Sequence, residues 1–316
     1  MHLPLVTHPA YSYEFSEKHR FPMQKFRLLH QYLIEVGIAT RENTYRPAKA
    51  NVALLAHAHC EEYLDQFITN KLDKPAMRRM GLPWSEALVR RTLISPLGTL
   101  LTCQLAIKHG IACHLAGGTH HAHYDFASGY CILNDLAIAA NRLLAQKLVT
   151  KVLIFDVDVH QGDGTARILA QQPQVFTCSV HCQKNFPARK AQSDLDVEIP
   201  TDANDDTYLA LMMQGFEEAV ALSQADFIIY DAGVDVYVDD PLGLINVSLA
   251  GIRKRDRYVL KRCLELDIPI ATVIGGGYDK DELALAKRHA IVVEEAHHLL
   301  QVHSSSDSLR QSHQER

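Results

Sequence analysis

Short apolar runs alternate with longer amphipathic stretches along most of the chain. The apolar runs are Ile111–Leu115, Lys151–Phe155, Val175–Val180, Asp226–Tyr230, Leu244–Val247 and Ile268–Ile274. Each is short and rich in Val, Ile or Leu, the pattern of strands buried on both faces. The stretches between them carry apolar residues at helical spacing. Pro22–Val36 places Phe26, Leu29, Leu33 and Ile34 on one stripe. Ser95 followed by Pro96 reads as the N-cap and first residue of a helix ending near Lys108. Further helices are predicted over Ile132–Ala145, Asp206–Leu222, Arg253–Leu266 and Asp281–Leu300. This alternation argues for an α/β fold, a parallel sheet with helices on both faces. No Pro/Gly/Ser-rich linker and no internal repeat divides the chain, so residues 1–303 read as a single domain. From Ser304 the sequence SSSDSLRQSHQER is polar and aperiodic, and residues 304–316 read as a disordered tail. A closed eight-stranded barrel is the competing arrangement, and the six strands counted here are too few for it.

Composition narrows the partners. Lys+Arg 32 against Asp+Glu 37 gives a formal charge of −5 over 316 residues, which gives no reason to expect nucleic acid or an anionic membrane as partner. The basic cluster Arg253–Arg257, interrupted by Asp256, reads as a solvated helix face. Seven cysteines without a CxxC pair point to a reducing compartment and free, packed thiols. The N-terminal MHLPLVTHPAYSYEF lacks a basic region followed by an apolar core, so no secretory leader is expected. No apolar run approaches the ~20 residues that span a bilayer. A soluble, cytoplasmic protein is the expectation.

In open α/β sheets, ligands bind beyond the carboxyl ends of the strands, and here each exit is rich in chemistry. After Lys151–Phe155 come Asp156, Asp158 and His160, two apart, so a continuing strand would point all three into one space. Carboxylate and imidazole are ligands for a divalent metal such as zinc; the bland reading is a polar loop turning at Gly162–Gly164. After Asp226–Tyr230, the segment DAGVDVYVDDPLG crowds Asp231, Asp235, Asp239 and Asp240 together, which a nearby cation would explain, as would a solvated acidic loop. After Ile111–Leu115, AGGTHHAHYD supplies a glycine turn and the pair His120–His121, a candidate general acid/base couple or plain surface histidines. After Ile268–Ile274, GGGYDKD brings Tyr278 to the same rim; without a following Lys-Ser/Thr it is no phosphate loop.

Taken together, GGTHHAHYDFASGYCILND, IFDVDVHQGDGT, DAGVDVYVDDPLG and IGGGYD resemble the zinc-dependent histone deacetylases over roughly residues 10–300. HQG and LINVSLAGIRKRD look most like the class IV branch and its bacterial relatives. The resemblance implies a three-layer αβα fold of the arginase/deacetylase type and a zinc-dependent amidohydrolase that removes acetyl or longer acyl groups from lysine.

The same resemblance assigns roles by position. Zinc, or Fe2+ in its place, falls to Asp158, His160 and Asp240. Asp239 stands where the family often has Gly, adding charge near the site. His120 and His121 match the tandem histidines, with Asp156 and Asp163 as their partners; some class IV relatives have Asn at the latter position, so Asp163 is expected to help His121 hold a proton. Tyr278 matches the oxyanion donor, Gly129 the acceptor of the substrate amide N–H, and Tyr130 and Phe186 the walls of the lysine tunnel. Cys131 is read as a packed thiol. TCSVH resembles a structural potassium site built from Asp156, Asp158, His160, Ser179 and Val180. His57, His59, His123, His181, His297, His298 and His303 are read as surface or locally satisfied, with His123 the one nearest the rim. Small acylated amines such as acetylpolyamines are the alternative substrates, and a non-catalytic acyl-lysine binder is the alternative class.

Overall fold

The computed structural model describes residues 2–314, with side chains through Val302. The chain opens with β1 (Leu5–Val6), α1 (Lys25–Glu35) and β2 (Thr44–Tyr45). The helices α2 (Val52–Leu55), α3 (Glu61–Ile68), α4 (Lys74–Met80) and the long α5 (Glu86–His109) follow. The central stretch holds β3 (Ile111–His114), α6 (Asp135–Ala145), β4 (Val152–Asp156), α7 (Asp163–Leu169), β5 (Val175–Cys182) and β6 (Leu195–Ile199). It ends with α8 (Asp205–Ser223), β7 (Phe227–Asp231), α9 (Leu249–Glu265), β8 (Ile270–Val273) and α10 (Glu282–Gln314).

Among the described residues, eight strands form one sheet in the order β2-β1-β3-β8-β7-β4-β5-β6, every pairing parallel. The two end strands do not pair with each other, so the sheet is open. A barrel therefore fails on closure, whereas strand number had been the expected objection. β3 is touched by both α5 and α10, and β5 by both α7 and α8, so helices cover both faces. This burial is why the central strands read as unbroken apolar runs: VLIFD, FIIYD and IATV are buried at every position.

Several elements differ from expectation. Leu244–Val247 is not a strand of the sheet; it contributes only a bridge from Val247 to Tyr237. The helix expected to begin at Ser95–Pro96 begins at Glu86, because the Ser85 side chain already accepts the Leu88 N–H, and Pro96 lies within it. α9 starts earlier than expected, at Leu249, capped by Ser248. This phase buries Arg255 and Asp256 completely, while Arg253, Lys254 and Arg257 stay on the exposed face expected for the cluster. The segment expected to fray from Ser304 continues α10 to Gln314; neither Gly nor Pro interrupts 282–316. Residues 315 and 316 lie outside the described chain.

The register places the chemistry. Asp156 at the end of β4 sits opposite Ser179 of β5 on one side and Asp231 of β7 on the other. Asp231 in turn lies opposite Val273 of β8. Neighbouring parallel strands thus end at one level, and their exit loops share one crevice.

Candidate active site

The β4 exit leaves the strand at Asp156 and does not continue extended. Asp156 Oδ1 accepts the Asp158 N–H (3.1 Å), and Asp158 Oδ1 accepts the His160 N–H (3.0 Å). Two successive side-chain turns curl the loop and still bring Asp158 and His160 to the pocket. His160 Nδ1 lies 3.0 Å from both Asp158 Oδ1 and Asp235 Oδ2. Asp235 Oδ1 accepts the Val159 N–H (2.8 Å), and Asp158 Oδ2 accepts the Gly276 N–H (2.7 Å). The β4, β7 and β8 exits are thereby stitched together. Gly276 is obligatory here, since a Cβ would collide with the carboxylates of Asp235 and Asp158.

The tandem histidine rings lie tilted against each other at 47°, with centroids 4.1 Å apart. His120 Nδ1 donates to Asp156 Oδ2 and His121 Nδ1 to Asp163 Oδ1, each at 2.7 Å. Their charge states are opposed. Burial disfavours a cationic His120, but Asp156 and Asp158 overcome it and hold the ring well above its ordinary pKa. For His121, burial and the adjacent His120 charge pull the pKa down to about 4. The expected proton-holding effect of Asp163 is therefore outweighed. Asp163 is also shared: His123 Nε2 stands 3.2 Å from its other oxygen, so His123 belongs to this network and not to the surface.

Asp158, His160 and Asp235 place one ligand atom each within 4.8 Å of one another, all buried. Asp240, the ligand the resemblance implied, is not in this compact trio. It lies beside it, with its oxygens accepting the N–H groups of Leu242 (2.9 Å) and Tyr278 (2.7 Å). Burial, then repulsion from neighbouring carboxylates, raises Asp235 to about 6 and Asp240 to about 7. The same forces leave Asp231 well above its usual value. Both Asp231 oxygens are buried without a hydrogen-bond partner, packed against Gly118 and Gly275. Such crowded hard oxygen donors beside an imidazole fit a divalent cation.

An outer cleft of about 540 Å³ and a narrow inner chamber of about 50 Å³ share His121, Gly129, Tyr130, His160 and Tyr278. Tyr278 is buried, so its hydroxyl stays protonated, its pKa well above the ordinary value. Phe186 stands edge-on to His121 with ring centroids 4.8 Å apart, and Tyr130 packs beside Tyr278 at 5.9 Å. Both aromatic rings border the cleft, as Gly129 does. Cys131 is buried and free, like the other cysteines apart from half-buried Cys60. Asp239 is exposed and lines neither cavity; partial burial raises the Tyr237 hydroxyl pKa, and the Asp239 carboxylate adds to it. The Ser179 hydroxyl is 3.0 Å from His181 Nδ1, and the Val180 segment continues β5. His59 is also buried and only half satisfied, its Nε2 accepting the Asn134 N–H while Nδ1 has no hydrogen-bond partner among the described residues; the His303 side chain is outside those described.

Three residues not singled out by the sequence complete the site. Lys25 is buried, its Nζ donating to the carbonyls of Gly275 (3.4 Å) and Gly277 (3.3 Å) and to His289 Nε2 (3.2 Å). Arg255 gives one guanidinium N–H to Gly233 O at 2.7 Å, fixing the β7 exit. Asp135 grips the glycine turn, accepting from Gly118 N, Thr119 N and the Thr119 and Thr99 hydroxyls. Asp235, counted in the sequence only as one of the crowded acids, backs His160 in the structure.

Fold and pocket together define an α/β protein whose chemistry gathers beyond the carboxyl ends of an open parallel sheet, with donors suited to a divalent ion. Comparison with known proteins is specific. Residues 19–293 match the histone deacetylase domain model, and the chain belongs to that family. It is 46% identical over 292 residues to an uncharacterized protein of Picosynechococcus sp., spanning 92% of this chain and 97% of that one. It is 27% identical over 272 residues to histone deacetylase 2 of Arabidopsis thaliana, covering 83% of this chain and 70% of the relative. Against human histone deacetylase 1 the identity is 25% over 289 residues, 84% of this chain but only 59% of the relative. The crystal structure of the HDA15 HD domain superposes with a TM-score of 0.78 at 20% identity, covering 94% of this chain and 89% of that one, a likeness of fold. No helix among the described residues is long and apolar enough to cross a membrane.

Proposed function

We propose that this chain is a metal-dependent amidohydrolase that removes acetyl or longer acyl groups from lysine side chains. The observation that carries the reading is the meeting of two His–Asp dyads, the Asp158–His160–Asp235 trio and Tyr278 on one pair of connected cavities. Asp158, His160 and Asp240 would hold zinc or Fe2+, with Asp235 buttressing His160. A bound ion of this kind supplies Lewis acidity toward a carbonyl and lowers the pKa of water.

The protein groups divide the remaining work. His121 is neutral, so its Nε2 is free to accept a proton from water while Asp163 holds Nδ1–H. His120 is cationic and stabilises negative charge developing beside it. The Tyr278 hydroxyl donates to the oxyanion. Protonated His121 then delivers its proton to the leaving lysine amine. Gly129 O accepts the substrate amide N–H, and Tyr130 and Phe186 sandwich the lysine methylenes. A potassium ion at Asp156, Asp158, His160, Ser179 and Val180 would offset the local carboxylate charge. Class IV-like relatives are part of the same reading, as is a cytoplasmic setting, the latter supported by the seven free thiols.

The test is a series of lysine peptides of increasing acyl length, assayed with the metal defined. Turnover on at least one peptide, lost in His121→Ala, is expected. Absence of turnover on every acyl length, with metal bound, would contradict the reading.

A further inference from the structure

The floor of the site is acidic, yet its mouth is not. The outer cleft is bordered by Arg78, Arg79 and Lys184 together with apolar Phe186, Leu242 and Leu244, and no carboxylate lines it. All three cations are exposed. Arg79 is engaged, lying 4.1 Å over the Phe126 ring and donating to Ala127 O; it also borders a neighbouring cavity with Asp73 and Asp125. Arg78 and Lys184 make no ion pair among the described residues. They reach the same mouth from different elements, Arg78 from α4 and Lys184 from the loop after β5.

Resting on the deacylase reading, we propose that the mouth selects acyl-lysines set in acidic polypeptide segments, with Arg78 and Lys184 as the specificity residues. A polypeptide fits better than a small amine. An open cleft of about 540 Å³ with exposed Phe186 and Leu244 offers apolar surface to residues beside the lysine. Complementary charge at a rim steers and selects, while like charges oppose binding. A polycationic segment or an acylated polyamine carries its positive charges to a mouth with no carboxylate to receive them. Asp239, the nearest extra acid in sequence, faces Tyr237 instead.

The experiment uses one acyl-lysine peptide in three versions, with Glu, Ala or Lys at the two positions on each side, plus an N-acetylated polyamine. The wild-type order in kcat/KM is Glu above Ala above Lys, about tenfold from end to end at low salt, carried by KM and compressed as salt screens exposed charges. The double variant Arg78→Glu/Lys184→Glu, two exposed positions away from the catalytic groups, inverts that order and keeps kcat on the Ala peptide. Fluorescence anisotropy of the same labelled peptides reads the order without turnover. Hydrolysis or binding with no charge order, or an order the double variant leaves in place, overturns the inference and spares the deacylase reading. Failure to turn over every peptide, the Ala version included, overturns the reading itself, and the anisotropy order then decides the charge inference separately. Polyamine hydrolysis faster than the Glu peptide overturns the inference.

Discussion

The floor and the mouth of this pocket are built on opposite electrostatic plans. At the floor, Asp156, Asp158, Asp231, Asp235 and Asp240 crowd into buried space, and Asp235 and Asp240 are forced to about 6 and 7. At the mouth, exposed cations stand around aromatic and aliphatic walls. The floor is rigid because strand register and backbone N–H groups hold each carboxylate; the mouth rests on loops and a short helix. Chemistry that needs fixed geometry belongs to the first, and discrimination among substrates to the second.

That division orders the expected effects. The largest belongs to the floor: Asp158→Ala or His160→Ala removes bound metal, read by atomic emission, and takes hydrolysis to background. Retained metal and turnover in either would break the comparison. Next, His121→Ala lowers kcat by about 10²–10⁴-fold, the worth of a general acid/base group. Tyr278→Phe lowers it by roughly 10²–10³-fold, and metal content stays unchanged. Asp235→Asn weakens metal affinity by about 10–100-fold, the range for a partner that orients a ligand. Equal metal loss in Asp235→Asn and Asp240→Asn would shift the ligand role between them. Smallest is Phe186→Ala at the mouth, which raises KM by roughly tenfold through lost aromatic contact and leaves kcat near normal.

Proton competition sharpens the contrast further. In the metal-free floor, Asp235 and Asp240 keep protons up to about pH 6 and 7, because burial and mutual repulsion raise their pKa values. Deprotonation favours the ion, so metal affinity rises from pH 5 to 7. Titration calorimetry showing flat affinity across that window would contradict the crowding. With metal held saturating, the acid limb of kcat/KM lies well below the ordinary histidine value, since His121 loses basicity only near pH 4.

The floor was also the more legible region. VLIFD and FIIYD announced central strands because they are apolar on both faces, and the charges at their ends stood out against them. His120, His121, Asp156, Asp158, His160, Asp163 and Tyr278 all reach the cavity network or its immediate partners. Asp240 was expected within the ligand trio, and Asp235 occupies that compact position. β1 and β2 went unread because two residues carry no period, and β6 because LDVEI lies half-exposed at an edge. Arg255 was misread because its burial depends on where α9 starts, a phase that Ser248 sets outside the basic cluster. Lys25 and His289 meet across 264 positions, and nothing local in either segment records the pairing. The basic mouth was equally hidden, since Arg78 and Lys184 become neighbours of one cleft only after α4 and the β5 exit are folded together.

The most direct measurement strips the purified protein with a chelator, assays an acyl-lysine peptide, then restores one equivalent of zinc or ferrous ion. The account predicts that hydrolysis disappears with the metal and returns at one ion per chain. Hydrolysis that survives stripping, or fails to return although the ion binds to Asp158 and His160, would contradict it.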